Sequence, residues 1–218
     1  MRPGVGEADP RHPVSAGAVP WNALGRVQTE LGGRCTGAMI APDRVLTAAH
    51  CLVTPRTGRL VQPGSIHMML GYDRGTWRGT SPVKRFLVAP GFDPVRRGPP
   101  EADWAVLTLE RKLGGTPLPL FRQMPPAGAR LMLGGYQQDR REVLLADTDC
   151  HLLGSARGPG GTALLRHGCA ATRGASGGPL LVETAHGSWA ILGVAVASFA
   201  DRPAGLAVPA SALPPLAE

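Results

Sequence analysis

The chain has 218 residues, 43% of them hydrophobic and 18% charged, enough apolar material for one or two packed cores and too little charge for a disordered polyelectrolyte. Its 30 glycines and 22 prolines exclude a helical bundle, because each of them inside a helix costs about 1–3 kcal/mol. The net charge of +7 is carried almost wholly by arginine, Lys84 and Lys112 being the only lysines, and the basic residues are scattered without interleaved stacking aromatics, so no nucleic-acid surface is expected.

In chain order, residues 1–23 are rich in Pro, Gly and Ala without a sustained period and are expected to form an extended N-terminal arm. Met1-Arg2-Pro3-Gly4 has no apolar stretch behind it and is not a signal peptide as it stands. From Leu24 onward, short apolar runs alternate with turn signals such as Gly32-Gly33, Pro63-Gly64 and Pro90-Gly91. Strands are predicted at 45–47, 67–70, 83–88 and 104–109, then at 130–133, 142–145, 163–166, 179–182, 190–197 and 205–208. Between the two series, residues 114–126 carry Pro117, Pro119, Pro125 and Pro126 and read as a linker. The organisation expected is all-β: a first β unit over 24–113, the linker, and a second β unit over 127–218. The richest apolar run, 190–200, is broken by Gly193 and Ser198 and is too short to span a membrane, so no membrane partner is expected.

Three segments carry chemistry: Leu46-Thr47-Ala48-Ala49-His50-Cys51, Ala102-Asp103-Trp104-Ala105-Val106-Leu107 and Gly174-Ala175-Ser176-Gly177-Gly178-Pro179-Leu180. A serine between glycines can sit on a tight exposed turn where backbone N–H groups converge, and those of Gly174 and Ser176 could receive an oxyanion. Serine is a poor nucleophile without a base, histidine suits that task near neutral pH, and a buried carboxylate fixes the histidine tautomer. Asp103 precedes an apolar strand, where an unpaired carboxylate would be costly to bury. The remaining aspartates, Asp147 among them, are expected in turns or on the surface. His12, His67, His151, His167 and His186 are expected on the surface or as satisfied core residues.

The three segments, in this order, resemble the trypsin/chymotrypsin superfamily of serine proteases, and the chain is most similar to its bacterial secreted members, including relatives of the V8-type glutamyl endopeptidases. The resemblance implies two six-stranded antiparallel β-barrels of chymotrypsin type with the active site in the cleft between them. His50 and Asp103 would come from the first barrel and Ser176 from the second. It further implies a serine endopeptidase with no cofactor and no metal, a monomer whose partner is a protein or peptide substrate. Cys35 and Cys51 would be bridged beside the histidine, and Cys150 and Cys169 would tether the nucleophile loop. Loops of such length contribute about 3 kcal/mol each on chain-entropy grounds. Two bridges imply an oxidising compartment, hence a secreted or periplasmic protein whose leader has been removed. The rival for His50, Cys51, Cys150, His151, His167 and Cys169 is zinc, but none has the usual ligand spacing.

Two departures from the family matter. Animal-type members carry an aspartate just before the serine, paired with a newly freed amino terminus; here that position is Ala175, and activation of that kind is not expected. By position relative to the serine, Ala170 would sit at the base of the primary pocket, with Ala171, Thr172, Arg173, Ala195 and Val196 around it. No acidic residue is there to bind a substrate Arg or Lys, and 193–197 lacks the histidine of glutamate-specific relatives. Uncharged, apolar P1 side chains are therefore expected, with Arg173 beside the oxyanion loop as a solvated cation. A catalytically silent homologue serving as a protein-binding module is the alternative.

Overall fold

Alternation decides the strands. In Ile66-His67-Met68-Met69-Leu70 the first, third and fifth side chains are buried and the two between are half-buried, the period-2 pattern of a sheet with one face on a core. The computed structural model describes residues 3–215; residues 1–2 and 216–218, the outer ends of the expected arm and second barrel, lie outside the described residues.

A two-residue strand, β1 (His12–Pro13), comes first. β2 (Leu24–Thr29), β3 (Arg34–Ala41), β4 (Arg44–Thr47), β5 (Ile66–Leu70), β6 (Gly79–Val88) and β7 (Ala105–Leu109) then close an antiparallel barrel in the order β2-β3-β4-β7-β6-β5. β8 (Arg130–Gly135), β9 (Leu145–Arg157), β10 (Ala163–His167), β11 (Pro179–Glu183), β12 (Trp189–Ser198) and β13 (Gly205–Pro209) form the second barrel. Its order is β9-β10-β13-β12-β11-β8, shut by the pairing of β8 with β9, and β1 adds to the outside of β9. Between the barrels, 114–126 makes no strand; Leu120 bridges Ile191 in parallel. The strand expected at 142–145 is displaced: β9 begins at Leu145 and runs thirteen residues to Arg157. Its later half alternates exposed side chains with buried or half-buried positions, but the inward positions after Leu152 are only Gly154 and Ala156, and Leu153 faces outward, so no apolar alternation marks it.

Leu131, Leu133, Leu152, Leu165, Leu180 and Leu192 fill the second barrel. A larger cluster begins with Leu24, Met39, Leu46 and Leu107 in the first barrel and continues through Trp21 and Tyr136 to Leu181 and Ile191 of the second. The barrels are thus joined by a shared apolar seam, each fully buried Leu adding about 1.5–3 kcal/mol. Among the described residues, no helix is long and apolar enough to cross a membrane.

The arm packs on the second barrel. Val5 is buried, and the Arg11 guanidinium donates to Asp9, Asp139 and Gln137 Oε1. That hydrogen bonding from Arg11 holds the Asp9 carboxyl below its ordinary pKa.

Candidate active site

Antiparallel pairing brings two of the three singled-out residues together. β4 pairs with β7 in the register Thr47 to Ala105, so the end of β4 lies beside the start of β7. The chain leaves β4 into a 3-10 turn (Ala49–Leu52) carrying His50, and it enters β7 from another (Pro100–Ala102) that delivers Asp103. Asp103, 4% exposed, grips His50 at two points: Oδ1 accepts the backbone N–H at 2.8 Å, and Oδ2 lies 2.6 Å from Nδ1. A carboxylate only accepts, so Nδ1 carries a proton, and in the neutral ring that tautomer leaves Nε2 with the lone pair.

Ser176 stands in the connection from β10 to β11, and that connection is fastened to the first barrel through Thr36 of β3. The Thr36 N–H donates to the Ser176 carbonyl at 2.9 Å. The Thr36 hydroxyl donates to the Gly174 carbonyl at 2.8 Å and accepts the Tyr136 N–H at 2.9 Å. Contact is so close at Gly177 (φ +80°) that a Cβ would fall 2.2 Å from the Thr36 carbonyl and the Thr47 hydroxyl. At Gly174 (φ +95°) it would fall 2.3 Å from the Tyr136 carbonyl. The turn uses glycine because the left-handed backbone excludes anything larger, together with the first barrel at Gly177 and the segment after β8 at Gly174. Ala175, Gly177 and Gly178 donate their N–H groups to carbonyls, whereas those of Gly174 and Ser176 donate to nothing among the described residues. Ser176 is half-buried, and Cys51 Sγ lies 3.8 Å from its carbonyl oxygen, which brings the serine next to the His50 turn. Among the described residues no hydrogen bond joins the Ser176 hydroxyl to the His50 ring; catalytic contacts of this kind often tighten only with substrate bound.

A cavity of about 250 Å³ opens at Ser176. Ala171, Thr172, Arg173, Ala195 and Val196 are among the residues that line it. Ala170 does not: it is fully buried outside the lining, its N–H donating to Asp147 Oδ2 at 2.8 Å. Asp147 is therefore no surface residue; it is 3% exposed and braces the segment behind the pocket wall. Thr172 is braced separately, its N–H donating to Gln137 Oε1, the atom that also receives Arg11.

His167 is the residue that sequence reasoning missed. It is buried, it lines this cavity, and its Nε2 has no hydrogen-bond partner among the described residues, so it is neither a surface nor a satisfied core histidine. Nδ1 accepts the Cys169 N–H at 3.3 Å, which assigns the ring hydrogen to Nε2. Burial pushes its pKa down to about 4, so the ring is neutral at neutral pH. A signal was present in the sequence: two residues from Leu165, His167 shares its inward face, and its register partner Gly205 has no side chain to occupy the space the ring takes.

Cys35 is bonded to Cys51 and Cys150 to Cys169, each bridge within one barrel. Among the described residues Cys35, His50 and Cys51 are the one group close enough to hold a metal ion, but both sulfurs are committed to each other and offer no thiolate.

The family model described as Trypsin matches residues 10–213. Proproteinase E of Bos taurus is 32% identical over 209 residues, covering 81% of this chain and 79% of that protein. Human serine protease 56 is 31% identical over 188 residues, 75% of this chain; the chain spans only 29% of that protein's length. The solved structure of a Glu endopeptidase, in complex with MPD, superposes with a TM-score of 0.78 over 95% of this chain and 94% of its own, at 20% identity.

Proposed function

The chain belongs to the trypsin family of serine proteases, and from that premise we propose that it is an endopeptidase whose working groups are Ser176, His50 and Asp103. Ser176 Oγ attacks the scissile carbonyl carbon while His50 Nε2 takes its proton. Asp103 holds Nδ1–H and stabilises the imidazolium that forms. The carbonyl oxygen, now an oxyanion, enters the space before the undonated N–H groups of Gly174 and Ser176. Collapse breaks the C–N bond, His50 returns the proton to the departing amine, and water hydrolyses the acyl-enzyme by the same route. The observation that carries this reading is the two-point hold of Asp103 on His50.

The cavity beside Ser176 supports uncharged P1 side chains. Its walls include Ala171, Ala195 and Val196, its depth offers a neutral His167, and no carboxylate faces it to receive Lys or Arg. A cleavage profile dominated by glutamate at P1, which the name of the Glu endopeptidase would suggest, would overturn this assignment. Two disulfides support an oxidising, extracytoplasmic setting. The arginine-rich, lysine-poor composition supports a bacterial source with a GC-rich genome.

Treatment with a fluorophosphonate probe is the direct test. Stoichiometric labelling at Ser176 is expected, together with a fall of about 10⁶ in turnover for Ser176→Ala or His50→Ala, by analogy with triad knockouts in another serine protease. Folded protein that takes no label would leave the binding-module alternative instead.

A further inference from the structure

A second cleft, about 430 Å³, meets the first at Arg173 and is lined by Arg26, Arg34, Arg141, Arg173, Tyr136 and Gly174, among others. Four arginines thus line one space. Arg34, Arg141 and Arg173 are exposed, and no acidic side chain among the described residues pairs with any of them. Arg26 differs from these. It is 5% exposed, lies 3.6 Å above the Tyr72 ring, and its Nε has no partner. Its nearest acid, Glu142, is 3.8 Å away at Oε1, and the other oxygen of Glu142 already receives the Tyr72 hydroxyl. Arg26 Nη1 donates to the Arg141 carbonyl at 3.5 Å, and its Nε remains an orphan donor, so the cation adds to the positive potential of the cleft without being neutralised by a close carboxylate.

The place of this cleft relative to the chemistry gives it a role. Ser176 lines the first cavity and Gly174 the second, so a substrate backbone crossing the nucleophile turn passes from one to the other. With the acyl-side residue in the first cavity, the chain beyond the scissile bond enters the arginine-lined space. We propose that this cleft is a subsite for an acidic side chain on the leaving-group side, so that the enzyme selects substrates carrying Asp or Glu shortly after the cut. The direction assigned rests on the endopeptidase reading; the attraction for a carboxylate does not.

The experiment keeps the two apart. Ser176→Ala protein is titrated with a fluorescent peptide representing the leaving-group fragment, bearing Glu near its free amino end, and with its Gln counterpart. The Glu peptide is expected to bind at least about tenfold more tightly at low salt, an advantage that shrinks as NaCl is raised. Adding Arg34→Gln and Arg141→Gln should collapse the Glu-to-Gln ratio. Equal affinity for the two peptides, or a ratio that survives those substitutions, overturns the proposal. Wild-type protein profiled on a peptide library should enrich Asp and Glu after the cut, and enrichment confined to positions before it overturns the assigned direction. Absence of fluorophosphonate labelling would defeat the endopeptidase reading and that direction, whereas a Glu-over-Gln preference in binding would still establish the acid-binding cleft.

Discussion

Thr36→Val tests how the nucleophile turn is held. The substitution keeps the shape of a side chain that is wholly buried and deletes one hydroxyl. That hydroxyl is the donor to the Gly174 carbonyl and the acceptor of the Tyr136 N–H, so two backbone groups lose their partners at once. Each buried orphan costs about 1–3 kcal/mol, giving a total loss of roughly 2–6 kcal/mol. For a protein of this size that lowers Tm by at least about 4 °C. Gly174 also supplies one of the two N–H groups proposed to meet the oxyanion. Complete removal of such a donor lowers kcat by about 10²–10³, and a donor merely loosened should give a smaller drop, about tenfold or more, with KM little changed. Thermal unfolding and peptide hydrolysis are measured side by side, with Thr36→Ser, which retains the hydroxyl, as the restoring variant. Wild-type kcat in Thr36→Val would refute the claim that this bond positions the turn.

Stability should fall on acidification through His167, whose folded-state pKa of about 4 lies below the ordinary 6.5. The unfolded chain takes the proton first, so this contribution is intact above pH 6.5 and is lost as pH falls towards 4, by about 3 kcal/mol in all. His167→Leu should flatten that part of a Tm-against-pH curve, and parallel curves for the two proteins would show that another group is responsible. Gly177→Ala places a methyl against the Thr36 carbonyl in a left-handed backbone that alone costs about 1–2 kcal/mol, so chemical denaturation should register at least that loss. Replacing Cys35 and Cys51 together by Ala should cost about 2–5 kcal/mol and lower kcat, because the bridge adjoins His50. The same change at Cys150 and Cys169, beside the pocket wall, should raise KM instead, and steady-state kinetics on both pairs separate the two expectations.

Much of this architecture is local in the sequence. Short apolar runs between Gly and Pro turns suffice to locate β5, β7, β11, β12 and β13, and His50, Asp103 and Ser176 stand in segments whose chemistry is readable residue by residue. What escaped depends on partners far along the chain. β9 is long because it serves β8, β10 and β1 in turn, and no window of its own residues encodes three neighbours. Asp147 looks like a loop carboxylate until the Ala170 N–H, 23 residues away, is brought against it. His167 owes its place to Gly205, and the arginine-lined cleft draws on β2, β3 and the segments around Arg141 and Arg173, which no linear pattern associates. Periodicity reports a strand's two faces; it is silent on which distant residue stands opposite.

The seam between the barrels has a consequence for the life of the molecule before it is finished. Neither half owns the proposed chemistry: a nascent chain with only its first half folded has a base and no nucleophile, and the other half alone has the reverse. Both covalent cross-links stay within a half, so the union depends on the apolar contact and on the Thr36 anchor. A serine protease made this way has no complete proposed site to turn on its unfolded siblings while the chain is being made, and it gains one only once it is itself compact enough to resist them.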